Sequence, residues 1–121
     1  MNFRKMALVL ALGAVAASTA NARGDADFSL INKTGYAIRE VYVSPSKSKT
    51  WGGDLLGKRV LDNGLNKNLR FGDSAHCQQD IMVVFDDDES EVTWEDVNLC
   101  ELEKLTLKYN RKTKEVSAIA E

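Results

Sequence analysis

The sequence is poor in the groups that most catalytic devices require. It holds one histidine and two cysteines in 121 residues, no long basic run, and no apolar run of membrane-spanning length. Each shortage removes a class of function. With a single histidine, a Ser-His-Asp device would have to use His76, and no serine lies in a G-x-S-x-G elbow. Beyond Arg4-Lys5, the only basic groupings are Lys58-Arg59 and Arg111-Lys112-Thr113-Lys114. Nucleic-acid binding needs a basic face that displaces counterions, so no nucleic-acid partner is expected. The longest uncharged apolar stretch, Met6 to Ala17, has 12 residues, against about 20 for a bilayer-crossing helix.

That stretch reads instead as the centre of a secretory leader. Arg4 and Lys5 precede it, and the small-residue segment Ala20-Asn21-Ala22 follows it, in the basic, apolar, A-x-A order of a signal peptide. The expectation is a leader over residues 1–22, cleavage after Ala22, and a single β-rich domain over residues 23–121 with no membrane span. Losing Arg4 and Lys5 takes the basic count from 16 to 14 against 18 acidic residues, a formal charge of −4. The destination is the periplasm or the medium, where Cys77 and Cys100 meet an oxidising environment and are expected to pair. Zinc ligation by His76, Cys77 and Cys100 would require that pair to stay reduced.

The remaining chain alternates between short β-patterned runs and turns. Phe28 to Ile31 leads into the Asn32-Lys33-Thr34-Gly35 turn, where glycine tolerates positive φ. Tyr36 to Ser44 is β-branched and aromatic. Its alternation slips at Arg39-Glu40, as at a bulge or an edge, and Pro45 ends it for want of an N–H. The segment Trp51-Gly52-Gly53-Asp54-Leu55-Leu56-Gly57 suggests a short helical turn capped by Gly57. Val60-Leu61 and Lys67 to Phe71 read as short strands. Ile81 to Phe85 is apolar on both faces, as in a central strand. Val92 and Trp94, then Leu105, Leu107 and Tyr109, alternate with polar residues, and Glu115 to Ile119 forms a last strand. About seven short strands at intervals of roughly 8–12 residues predict an all-β fold, a small antiparallel β-sandwich with one disulfide.

The candidate chemistry is sparse. Asp86-Asp87-Asp88-Glu89 and Glu91 make an acidic turn, and Asp86, Asp88 and Glu91 are its candidate calcium ligands. The spaced oxygens and the glycine of a calcium loop are absent, however, and contiguous carboxylates splay into water. Asp54, Asp80 and Asp96 could supply an acid–base pair, though no motif surrounds them. Trp51 lies in a glycine-flanked loop away from the alternating strands. Beside Tyr42 or Pro45 it could anchor a ligand, or it could plug one end of the sandwich.

The set N-K-T-G-Y (32–36), V-Y-V-S-P-S (41–46), W-G-G-D-L-L-G (51–57), C-x-x-D-I-x-V-x-F (77–85), W-x-x-x-N-L-C (94–100) and L-T-L (105–107) resembles a group of small secreted bacterial proteins of unassigned function. It runs from about Phe28 to Tyr109. The resemblance implies a compact β-rich domain with its two cysteines paired and implies no activity. Some members carry an argininosuccinate lyase label, but that class is built from long helices, which these short alternating runs do not supply. Relatives tend to close the acidic turn with Gly where this chain has Asp86-Asp87-Asp88-Glu89, leaving the tightness of that hairpin open.

The reading is a non-enzymatic exported binding domain with no cofactor. Its partner would be a protein or small ligand in the cell envelope or outside the cell, met through Tyr42, Ser44, Ser46, Trp51 and Asp54 on loops of a rigid frame. The alternatives are a small hydrolase using carboxylates or His76, and a calcium-stabilised structural domain.

Overall fold

The computed structural model describes residues 6–10, 24–72 and 75–121; the expected cleavage segment at Ala20-Asn21-Ala22 lies outside them. Among the described residues, eight strands form two sheets: β1 (Met6–Leu10), β2 (Phe28–Lys33), β3 (Ile38–Pro45), β4 (Asn66–Leu69), β5 (Gln78–Phe85), β6 (Glu91–Asn98), β7 (Lys104–Asn110) and β8 (Glu115–Ala120). The larger sheet has the order β1-β8-β7-β2-β4 and the smaller the order β3-β5-β6. The chain crosses between sheets after β2, β3, β4 and β6, so each sheet is assembled from distant segments. The all-β sandwich expected from the strand spacing is what forms.

Period-two patterning decides which face each strand buries. In β7, Leu105 and Leu107 point inward while Lys104 and Lys108 face water. In β8, Val116, Ala118 and Ala120 are buried. Opposite them, Ile81, Val83 and Phe85 of β5 and Val92 and Trp94 of β6 complete the core. Each such aliphatic or aromatic side chain contributes on the order of 1.5–3 kcal/mol by leaving water. Strand β5 is central in its sheet, as its doubly apolar run predicts. Val84, on the opposite face from Phe85, is buried where it pairs with Glu40 and Glu91, and Met82 is half-buried. The slip at Arg39-Glu40 is a register shift in the β3–β5 pairing, and β3 is an edge strand.

Two expectations are corrected in detail. The sandwich is not wholly antiparallel: β2 runs parallel to β7, with Leu30 opposite Leu105 and Asn32 opposite Leu107. Five other elements intervene between these two strands, and that long excursion permits the crossover a parallel pair requires. The turn at residues 51–57 is not helical. Asp54 Oδ1 accepts from the Leu56 N–H at 3.0 Å and from the Val41 N–H at 2.9 Å, so the side chain competes with the backbone for the bonds a helix would use. Gly57 does take positive φ there, at 65°. The helical piece that forms is a 3₁₀ turn at Leu99–Glu101, capped by Asn98, whose Oδ1 accepts from the Cys100 N–H. Met6–Leu10, within the expected leader, lies as a parallel strand along β8.

Cys77 and Cys100 are bonded. Cys77 enters β5 and Cys100 follows β6, so the bridge closes the open end of the β5–β6 hairpin. At the other end the turn is tight without glycine. Glu89 itself takes the left-handed conformation, with φ 59°. Its N–H bonds to the Phe85 oxygen at 3.0 Å, and Asp88 Oδ1 receives the Ser90 N–H and Oγ.

The Asn32-Lys33-Thr34-Gly35 segment does more than turn the chain. Asn32 occupies an inward position of β2 and is fully buried. Its Nδ2 donates to the Tyr36 and Leu61 oxygens at 2.7 and 2.9 Å. Its Oδ1 accepts from the Thr34 N–H and Oγ1 at 3.1 and 2.7 Å. Leu61 in turn bridges Ile38, the first residue of β3. One amide therefore ties the end of the larger sheet to the start of the smaller one, with every polar atom satisfied.

Candidate functional site

Strand β3 carries two of the expected binding residues, Tyr42 and Ser44, on the face opposite buried Val41. The loop that follows folds back along the outer edge of β3. Ser44 Oγ donates to the Thr50 oxygen at 2.7 Å, the Leu55 N–H donates to the Val41 oxygen at 2.8 Å, and Asp54 takes the Val41 N–H. Trp51 is thereby held beside Ser44. With Ser48, Lys49, Thr50 and Asp80 they line a shallow hollow of about 90 Å³, in which Trp51 is half-buried.

Asp80 is the organising group beneath this hollow. Its Oδ1 accepts from Ser46 Oγ and from the Asp96 N–H, both at 2.9 Å. Asp96 sits at φ 54°, where the β5–β6 register shifts between Gln79 and Ile81. The carboxylate therefore rewards a bulge conformation that a non-glycine residue adopts at a cost of roughly 1–2 kcal/mol.

Ser44 and Trp51 thus share one hollow, and Ser46 joins it through Asp80. Tyr42 and Asp54 lie farther along β3. The Tyr42 hydroxyl donates to Glu40 Oε1 in a short hydrogen bond. That bond is the main reason the phenol is pushed up to about 12; partial desolvation and the charges of Glu40 and Asp54 act in the same direction. Glu40 also meets Arg39, which reaches Glu89 at 3.1 Å. Lys49, Thr50 and Asp80 were not read from the sequence as hollow-forming residues. The serine-rich run Ser44-Pro45-Ser46-Lys47-Ser48 was the only hint, since hydroxyls near a strand end favour loop-to-backbone bonds.

The proposed acid–base carboxylates do not form one constellation. Asp80 lies against the backbone of Asp96, whereas Asp54 serves the backbone of Val41 and Leu56. His76 is exposed, its carbonyl oxygen accepts from Gln79 Nε2, and it lines neither hollow. The second hollow, about 220 Å³, lies between β2 and β4 and is lined by Asp27, Ser29, Asn68, Arg70 and Glu103 among others. Of the candidate calcium ligands, Asp88 turns back onto Ser90, while Asp86 is exposed and Glu91 stands on β6. Among the described residues no three His, Cys, Asp or Glu side chains converge to hold a metal ion. Nor is any described helix long and apolar enough to cross a membrane.

No protein-family model, curated protein or solved structure matches this chain.

Proposed function

We propose that the chain is an exported, non-enzymatic binding domain that meets its partner through the Trp51 hollow. The observation that carries this reading is a half-buried tryptophan held by a loop on a rigid strand, ringed by Ser44, Ser48, Lys49, Thr50 and Asp80. A large flat ring with hydrogen-bonding groups around it is the composition of a binding anchor. The frame is suited to the task, because Thr50, Asp54 and Leu55 tie the loop to Ser44 and Val41 of β3 and leave it little freedom to lose on binding. The leader-like N-terminus and the formed Cys77–Cys100 bridge support export to the periplasm or beyond.

The test is recovery of a partner from the cell's own envelope extract by the disulfide-intact chain. Trp51→Ala should lose at least tenfold in partner yield, equivalent to about 1.4 kcal/mol, with its melting temperature kept near that of the parent. Unfolding by Trp51→Ala would make the ring a structural plug. Undiminished capture by a folded Trp51→Ala would place the binding surface elsewhere.

A further inference from the structure

Among the described residues the sheets' edge strands are β1, β4, β3 and β6, and β1 covers the outer side of β8. The outer edge of β3 is covered by Leu61 and by the 54–55 segment. Strand β4 is four residues long and polar, with Asn66, Lys67 and Asn68 exposed. Strand β6 is bent at Asp96 and carries exposed Glu95 and Asp96. These are the usual devices that stop an edge from recruiting further strands. Strand β8 has none of them. After Glu115 its sequence is Val116-Ser117-Ala118-Ile119-Ala120, without charge, glycine or proline.

The chain itself shows what fits there. Met6–Leu10, Met-Ala-Leu-Val-Leu, pairs with it in parallel over five residues, Met6 opposite Val116 through Leu10 opposite Ala120. The phase of the ladder identifies the groups involved. Glu121 and Lys104 exchange both backbone bonds, so the alternate β8 residues Ile119 and Ser117 address β7. The N–H and C=O groups of Val116, Ala118 and Ala120 therefore point outward, toward β1.

We infer that the β8 edge is a strand-addition site for a parallel, apolar, extended segment of another polypeptide, held by Met6–Leu10 until the leader is removed. This rests on the export reading above, because cleavage after Ala22 is the step that frees the edge. Main-chain bonds to Val116, Ala118 and Ala120 would supply affinity, and the alternation of the incoming segment its specificity. A charged or proline-containing segment would be refused.

The edge is testable in the full chain. An Ala7→Pro/Val9→Pro double variant puts into β1 two residues that cannot donate to a ladder. Amide exchange at Val116, Ala118 and Ala120 should rise roughly tenfold or more over the parent, while Ser117 and Ile119 stay protected. A fluorescent peptide of the Met6–Leu10 sequence, flanked by lysines for solubility, should bind the double variant and not the parent. Adding Ala118→Pro should abolish that binding, with circular dichroism confirming the fold. Unchanged exchange at the three amides, no peptide binding to a folded double variant, or a double variant that dimerises through β8 in preference to the peptide would each overturn the inference. The peptide result bears on the edge alone, whereas the N-terminus of the chain recovered outside the cytoplasm bears on the export reading alone.

Discussion

Two tethers hold this molecule, and they differ in kind. The Cys77–Cys100 bridge ties the open end of a hairpin within the smaller sheet. The buried Asn32 amide ties the larger sheet to the smaller through four side-chain hydrogen bonds. The covalent tie acts chiefly on the unfolded chain, whose freedom it restricts. The polar tie acts on the folded state, where losing it strands the buried Thr34 N–H and leaves the Leu61 and Tyr36 oxygens with one donor each. A chain of this size has a thin stability margin, so either tie is a large fraction of the total.

Breaking the polar tie should cost most. Asn32→Ala removes four hydrogen bonds and leaves the buried Thr34 N–H unpaired, and a loss of about 4 kcal/mol in denaturant unfolding is expected. The Cys77→Ala/Cys100→Ala variant should lose about 3 kcal/mol, the value for a ring of this size. Reductant sharpens the contrast: it should bring the parent down to the level of the cysteine variant and leave the Asn32→Ala decrement unchanged. A decrement for Asn32→Ala that disappears under reducing conditions would mean that the two tethers are not independent.

A smaller effect is expected where the loop meets β3. Asp54→Ala removes the acceptor for the Val41 and Leu56 N–H groups and should cost about 1–2 kcal/mol. It should also loosen Trp51, read as a red shift of its fluorescence against the constant signal of buried Trp94.

The two hairpins offer a matched pair of still smaller effects. Glu89 and Lys114 both stand at positive φ, with N–H groups bonded back to Phe85 and Asn110 respectively. Glycine at either site should stabilise by about 1 kcal/mol, as a left-handed residue without a Cβ. Glu89→Gly should stabilise slightly less than Lys114→Gly, because it forfeits the exposed Arg39 pair.

The smallest effect is a titration. Tyr42 ionises near 12, held up chiefly by its bond to Glu40, so the folded state gains from the protonated phenol. That gain is complete below the ordinary tyrosine range, near 10, and is lost as pH rises from there toward 12. Tyrosinate absorbance should show a phenol ionising above the ordinary tyrosine range near 10, and Glu40→Gln should bring it down toward that range. An unchanged titration in Glu40→Gln would mean that the Glu40 bond is not what raises it.

The strands, the β3 bulge and the disulfide were legible because each leaves a local mark: alternation at Leu105-Thr106-Leu107, slippage at Arg39-Glu40, two cysteines behind a leader-like N-terminus. Asn32 was legible only as a turn former. Its role depends on Leu61, 29 residues away, and nothing in the composition of either segment announces that meeting. The parallel β2–β7 pair was hidden for the same reason, since Leu30 and Leu105 alternate alike whichever way their strands run. In the candidate site, Trp51 and Ser44 stood out by residue type. Asp80 stood out only as an acid–base candidate and not as part of the hollow, because its partners Ser46 and Asp96 come from either side of the β5 strand it belongs to.

The most direct test is the intact mass, without reductant, of the chain recovered from outside the cytoplasm. The expected species begins at Arg23 and weighs two hydrogens less than its reduced form, with the bridge closed and the β8 edge free of Met6–Leu10. A chain that still carries residues 6–10, or one with two free thiols, would contradict the account.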